Sequence, residues 1–212
     1  MPTIISPLQI LHQVRPPAGW DGWVPTFSGR GYRPWADNPG LFGLDDLAYG
    51  LAHTFRYGGQ SSPPVTVAEH AILVTRIIRT LWPGNPRLEK AGLFHDASEA
   101  ILHDIQAPLR RQVWVTLPSG MMVSWMESDL RVTMNIAKDY GVEAADLEAP
   151  EVRAADILAA SFEKRDCPNL RDGDWGLPPI PPEVAHLSIQ GWAPHEAMQQ
   201  YQDELRRVGL NP

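Results

Sequence analysis

Apolar residues recur every three or four positions through most of the chain beyond residue 44, a period typical of helices packed on a shared core. We find no segment of any length that alternates apolar and polar residues, and no internal repeat. The clearest helix follows Thr66, where a hydroxyl with Glu69 three residues later matches the capping box. The sequence WPGNP at 82–86 then ends it. The chain is therefore predicted to be all-α.

The same period, read between turn residues, predicts the other helices. Pro150 stands where the first position of a helix is expected, because the missing N–H of proline is no loss there. Residues 166–182 are rich in Pro and Gly and are predicted to form a long loop. The remaining predicted helices cover about 45–55, 88–102, 122–140 and 194–207.

Residues 1–44 are rich in Gly, Pro and Trp and are predicted to form an irregular N-terminal arm. Its aromatic side chains are expected to dock on the helical body, because so many exposed rings would favour association. The alternative is that they form a contact surface for a second subunit. Residues 45–212 are predicted to form a single helical domain.

Composition limits the class of protein. The 212 residues are 43% hydrophobic and 20% charged, which suits one soluble domain. A net charge of −7 argues against binding a nucleic-acid polymer. No apolar run is long enough for a membrane span, and no secretory signal is evident. The single cysteine, Cys167, is expected to be a free thiol in a reducing cytoplasm.

Polar residues on inward helix faces are the unusual feature of the chain. His95 and Glu99 share a face with apolar neighbours, and Asp96 adjoins His95. His70 and Asp156 lie on the inward sides of two other predicted helices. Because buried charge is costly unless it is paired or bound to a metal, one shared metal ion would satisfy His70, His95, Asp96 and Asp156 together.

Two imidazoles and two carboxylates suit a divalent ion such as Co, Mn, Zn, Fe, Ni or Mg. On an octahedral ion, two positions would remain for water and a phosphate oxygen. Singly, each residue has an ordinary alternative: an inward His is often a hydrogen-bonded core residue, and an inward Asp is often a cap or an ion-pair partner. The conjunction of all four favours the metal.

The order His70, His95-Asp96, Asp156 resembles the H…HD…D signature of the HD-domain phosphohydrolase superfamily, whose fold is a helical bundle. The segments TVAEH (66–70), FHDASEAILHDIQAPLR (94–110) and RAADILA (153–159) resemble bacterial 5′-deoxynucleotidases. TFSGRGY (26–32) and DDLAYGLAHTFRYGGQ (45–60) resemble phage deoxynucleotide triphosphohydrolases of the dATP-specific, DatZ-like type. The resemblance covers about residues 26–165.

The resemblance implies a role for each matching position. The four residues of the signature would be the metal ligands. Glu99 would act on the nucleophilic water or the leaving group, and Asp104 matches a second acidic residue beyond it.

The resemblance also implies residues that contact the substrate. Arg56 and Tyr57 stand where relatives have an Arg-Trp pair that holds the sugar-phosphate, and the Tyr leaves sugar selectivity open. Arg110 and Arg153 stand where relatives have lysines that meet phosphate. The alternative for these two arginines is plain surface charge. His103 is a candidate modulator of the same cleft.

The sequence thus predicts a metal-dependent phosphohydrolase that acts on a small deoxynucleotide. The product would be triphosphate from a dNTP, which three arginines favour, or phosphate from a dNMP. A phosphodiesterase on a cyclic or linear nucleotide and a catalytically silent nucleotide-binding regulator are the alternatives. The resemblance further implies a cytoplasmic homo-oligomer of a bacterial cell or phage-infected host. The base and the native metal stay open.

Overall fold

A computed structural model describes residues 22–117 and 119–212, and this part of the chain is mostly helical. Residues 1–21, which belong to the predicted arm, lie outside the described residues. No helix in the described ranges is both long and apolar enough to cross a membrane.

Most of the helices follow one another with short connections, but a long segment, 167–193, separates the last two. They are α1 (Leu44–His53), α2 (Val67–Leu81), α3 (Pro86–Phe94), α4 (Glu99–Leu102), α5 (Ala107–Arg110), α6 (Trp125–Ala137), α7 (Ala144–Leu147), α8 (Pro150–Asp166) and α9 (Pro194–Arg207). Short 3₁₀ turns cover Arg56–Gly59, Lys138–Tyr140 and Pro168–Leu170. The predicted starts near residues 66, 150 and 194 are confirmed.

Helix α2 is the centre of the bundle. It packs against α1, α3, α8 and α9, and most of its residues are buried. Thr66 caps it by accepting a hydrogen bond from the Glu69 N–H at 3.1 Å. The other half of the predicted capping box is absent, because the Glu69 carboxylate accepts the backbone N–H groups of Gln190, Gly191 and Trp192 instead. Glu69 therefore fastens the segment before α9 to α2.

The predicted continuous helix over 88–102 is wrong. Helix α3 ends at Phe94, and a turn through residues 95–98 leads into α4 at Glu99. Hydrogen bonds between residues three apart tighten this turn, from the Ala97 N–H to Phe94 O and from the Glu99 N–H to Asp96 O, each at 3.0 Å. Adjacent residues on a straight helix point about 100° apart. The turn instead allows His95 and Asp96 to face the same point.

Short strands were not predicted, and two hairpins are present in the described residues. Strand β1 (Val24–Pro25) pairs with β2 (Gly31–Tyr32), and β3 (Trp114–Thr116) pairs with β4 (Met122–Ser124). The predicted helix over 122–140 therefore begins only at Trp125, after Ser124, whose hydroxyl accepts the Glu127 N–H. Strands of two or three residues are too short to show an alternating pattern.

The described part of the arm lies against the helices. Tyr32 is buried, and the Trp35 indole donates a hydrogen bond to Ser128 on α6 at 2.8 Å. The division into an arm (1–44) and a domain (45–212) stays a prediction. Cys167, at the end of α8, is a buried free thiol.

Candidate metal centre

Four side chains from three segments converge on one point, and we call them the ligand cluster: His70 on α2, His95 and Asp96 in the turn after α3, and Asp156 on α8. His70 Nε2 lies 3.2 Å from His95 Nε2 and 3.1 Å from Asp156 Oδ1. Asp96 Oδ2 lies 3.1 Å from His95 Nε2 and 3.6 Å from His70 Nε2. With metal–ligand bonds of about 2.1 Å, neighbouring ligand atoms lie about 3 Å apart. His70, His95 and Asp156 are thus a possible metal-binding group among the described residues.

When neutral, both imidazoles would present an unprotonated Nε2 to this point. His70 Nδ1 lies 2.8 Å from Glu163 Oε1, and His95 Nδ1 lies 2.8 Å from Gly92 O. Since both partners only accept, the proton of each neutral ring belongs on Nδ1. Two ring lone pairs then face two carboxylate oxygens with no donor between them. A cation would satisfy such a set of acceptors, so the residues present fit a divalent metal ion.

Without a cation, the ligand cluster satisfies itself by taking up protons. Burial disfavours a charged His95, but the adjacent Asp96 outweighs burial and raises the pKa of His95 to about 9. Burial likewise opposes ionisation of Asp96, yet His95, His70 and Arg56 hold its pKa far below the usual range. A bound metal would replace these protons, so we expect metal affinity to fall as the pH decreases.

Glu99 begins α4 with its side chain buried next to the ligand cluster. Its Oε2 has no hydrogen-bond partner among the described residues. Burial, followed by repulsion from Asp96 and Asp104, raises its pKa well above the usual value, and attraction to Arg56 does not offset this. The predicted catalytic acid therefore lies where burial and neighbouring carboxylates favour its protonated form.

The Arg56–Gly59 turn lies beside the ligand cluster, as the predicted roles of Arg56 and Tyr57 require. Arg56 Nη1 lies 3.6 Å from Asp96 Oδ2. The Tyr57 N–H donates to Asp104 Oδ2 at 3.0 Å, so the second predicted acid holds this turn. Tyr57 has a φ of 59°, a left-handed conformation that a residue with a Cβ seldom adopts.

Glu163 was missed by the sequence reading, although it is fully buried beside the site. Its Oε1 accepts His70 Nδ1–H and lies 2.9 Å from Arg56 Nε, and its Oε2 accepts the Tyr57 hydroxyl. Burial opposes its ionisation, but Arg56 and His70 lower its pKa, so it is a carboxylate. The available signal was its position two helical turns after Asp156, on the same face of α8.

Asp129 on α6 was also missed. It accepts a hydrogen bond from the buried Ser98 hydroxyl in the turn that carries His95 and Asp96. Burial, together with Asp96, raises the pKa of Asp129 to about 6, while Arg110 opposes the rise. Arg110, at the end of α5, is thus close enough to Asp129 to lower the pKa of its carboxyl group.

The other predicted residues lie farther from the ligand atoms. Arg153 is exposed on α8, one turn before Asp156. His103 is exposed, with Nδ1 at 3.4 Å from Thr54 Oγ1 and a φ of 63°. His53, which was left out of the predicted site, sits at the end of α1 with Nδ1 2.8 Å from Tyr49 O.

Comparison with known proteins identifies relatives of the chain but assigns no activity to it. No family model matches the chain. The uncharacterized protein RCAP_rcc00048 of Rhodobacter capsulatus is 31% identical over 147 residues, which are 66% of this chain and 70% of that protein. The chain belongs to the family of this Rhodobacter protein. The uncharacterized protein YfdR of Escherichia coli is 28% identical over 192 residues, covering 87% of this chain and 98% of YfdR. Functional inference therefore rests on the site itself.

Proposed function

We propose that the protein is a metal-dependent phosphohydrolase of the HD-domain superfamily that acts on deoxynucleotides. The single observation that carries the proposal is the ligand cluster, in which two Nε2 atoms and two carboxylate oxygens meet at 3.1–3.8 Å. These are the residues of the H…HD…D pattern. A hydrogen-bonded core histidine needs no second imidazole nitrogen facing it.

A divalent ion held by His70, His95, Asp96 and Asp156 would lower the pKa of water and polarise a phosphoryl oxygen. Cobalt, manganese, zinc, iron, nickel or magnesium fits this mixed set of nitrogen and oxygen ligands. The Asp156 side chain is 43% exposed and the His70 side chain is fully buried, so a substrate would approach from the α8 side.

Glu99 supplies the proton in this proposal. When water attacks phosphorus and the bond to the 5′ oxygen breaks, the leaving oxygen must gain a proton. A buried carboxyl group whose pKa is raised well above the usual value can donate it, and the resulting carboxylate can take a proton from the next water. This reaction releases the nucleoside.

Positive charge around the site would hold the phosphate oxygens. Arg56 extends toward Asp96, Arg110 ends α5, and Arg153 lies one turn before Asp156 on α8. Arginine can grip two phosphate oxygens at once. Three arginines favour a triphosphate, so a dNTP triphosphohydrolase of the dATP type is the leading activity, with a dNMP 5′-nucleotidase next. Tyr57 would pack near the sugar, beside Trp175 at 5.9 Å between ring centroids.

The test is a product assay with Co²⁺ or Mn²⁺ and the four deoxynucleotides, each as mono- and triphosphate. Release of triphosphate from one dNTP would identify both the reaction and the base. Phosphate from monophosphates alone would make the protein a 5′-nucleotidase. Bound metal without turnover on any of them would contradict the proposal and favour a phosphodiesterase or a silent nucleotide-binding regulator.

The proposed enzyme works on free nucleotides in the cytoplasm, with neither a nucleic-acid polymer nor a membrane as partner, and as a homo-oligomer. Large exposed apolar side chains around the β3–β4 hairpin supply a surface for assembly. They are Leu109, Trp114, Met121, Met122, Met126 and Leu130. Light scattering on the protein as it elutes from a sizing column measures the number of chains in the assembly. We expect more than one chain for the wild type and a single chain for Met126→Glu.

A further inference from the structure

The Glu163 carboxylate joins the ligand cluster to the Arg56–Gly59 turn. One oxygen accepts the Nδ1–H of His70 at 2.8 Å and lies 2.9 Å from Arg56 Nε, and the other accepts the Tyr57 hydroxyl. These groups come from the Arg56–Tyr57 pair and from His70 on α2, 93 to 107 residues before Glu163 in the chain. No solvent reaches the side chain of Glu163.

We infer that Glu163 is a positioning residue that sets both the metal-binding form of His70 and the conformation of the Arg56–Tyr57 pair. A carboxylate behind a ligand imidazole fixes which nitrogen carries the proton and how the ring is oriented. Glu163 does this for His70, whose side chain is the most buried of the ligand cluster. The inference rests on the metal centre of the proposed function and requires neither its reaction nor its substrate.

The Tyr57 backbone shows why the turn needs such support. A non-glycine residue with φ near +60° carries strain of about 1–2 kcal/mol, and it persists only where its surroundings hold it. Tyr57 is held at both ends by carboxylates: Asp104 accepts its N–H and Glu163 accepts its hydroxyl. Arg56, in the same turn, is held by Glu163 as well. Residues that would meet the sugar-phosphate are therefore fixed by the same group that orients a metal ligand.

This arrangement makes metal affinity depend on residues that touch no metal. In Glu163→Gln the amide can still accept from His70, but the negative charge is lost and the buried Arg56 loses its closest counter-ion. Loss of an outer partner of a metal ligand weakens metal binding by about 10–100-fold. We expect a loss of that size in the Mn²⁺ and Co²⁺ dissociation constants of the full chain, measured by competition with a chromogenic chelator.

Glu204→Gln is the matched control. Glu204 is also buried, and its carboxylate pairs with Arg76 at 3.1 Å and Arg79 at 2.9 Å on the far side of α2, with Arg207 farther away at 3.8 Å. Both variants lose a buried ion pair, but only Glu163→Gln should weaken metal binding and shift the visible spectrum of bound Co²⁺. If wild type binds metal and Glu163→Gln binds it within twofold, the inference is overturned while the metal centre stands. Wild type that binds no metal would remove the metal centre itself.

A milder pair of variants keeps the test valid if Glu163→Gln does not fold. Tyr57→Phe removes one donor to Glu163, and Tyr201→Phe removes the hydroxyl of another buried tyrosine, which donates to Leu93 O. We expect metal affinity to fall several-fold in Tyr57→Phe and to stay unchanged in Tyr201→Phe. Equal affinities in the two variants would contradict a positioning role.

Discussion

Two clusters of charged residues lie toward opposite ends of α2, and they differ in how their charges are satisfied. The ion-pair cluster, formed by Arg76, Arg79, Glu89 and Glu204, joins α2 to α3 and α9. It contains as many arginines as carboxylates. Burial opposes ionisation of Glu204, but hydrogen bonding and attraction by Arg79 lower its pKa. This cluster is complete without any ligand.

The ligand cluster at the other end is not complete. Asp96 and Glu163 both pair with the same arginine, Arg56. Asp156 faces the two imidazoles, which can balance it only by taking up protons. Burial and repulsion from Asp96 and Asp104 favour the protonated form of nearby Glu99, because another negative charge there would be costly. The comparison teaches that burial of charge alone does not mark a site. What marks it is a surplus of acceptors that must take up either protons or an added cation.

The largest expected effect comes from taking one acceptor out of the ligand cluster. Asp96→Ala should weaken metal binding by more than about 100-fold and abolish turnover with it. About 100-fold is the upper limit expected for a residue that only hydrogen-bonds to a metal ligand. In the wild type, Mn²⁺ at 100 times its dissociation constant should stabilise the fold by about 2.7 kcal/mol. Calorimetry should show this gain in wild type and none in Asp96→Ala. A variant that keeps the gain would exclude Asp96 as a ligand.

The next largest effect separates chemistry from metal binding. Glu99→Gln should lower turnover by about 10²–10⁴-fold, the usual range for a general acid or base. Its metal affinity should stay within twofold of wild type, and its metal-free form should be at least as stable, since Oε2 gives up no hydrogen bond among the described residues. Steady-state kinetics and metal titration on the same sample measure both. Full activity in Glu99→Gln would refute the proton-donor role.

The sequence was informative where a residue's role follows from its neighbours along the chain. Thr66 predicts the start of α2 as its N-cap, and His70 and Asp156 are recognisable as polar residues on apolar helix faces. The pattern failed at residues 95–98, because helical spacing continues through a turn that hydrogen bonds three residues apart have tightened. The candidate ligands His95 and Asp96 nevertheless lie beside His70 and Asp156, since the prediction of a shared site does not depend on the helix being continuous.

Long-range partners were beyond the sequence. Glu163 resembles any polar residue near a helix end until His70, 93 positions earlier, is placed against it. Asp129 likewise gains meaning only through Ser98, 31 positions earlier. Periodicity assigns a residue to a face, whereas packing between helices decides which face it meets.

A smaller effect tests the ion-pair cluster. Glu204→Gln should destabilise the fold by about 2 kcal/mol, at the low end for a broken buried pair because its arginines are partly exposed to solvent. Metal affinity and turnover should not change. Chemical denaturation of the metal-free protein measures the loss. A variant as stable as wild type would mean that the two arginines find other partners, and the contrast between the clusters would weaken.

The smallest expected effect concerns the edge of the site. Arg110→Ala should raise KM for the nucleotide by about tenfold, the value of one charge-assisted hydrogen bond to phosphate, with little change in kcat. Arg111→Ala removes the neighbouring exposed arginine and is the control. If long-range attraction alone mattered, both variants would act alike and added salt would abolish the effect. A loss of affinity confined to Arg110→Ala and resistant to salt would instead mean that Arg110 contacts the phosphate directly. We expect this outcome, because Arg110 lies close enough to lower the pKa of Asp129, which accepts a hydrogen bond from the turn carrying His95 and Asp96.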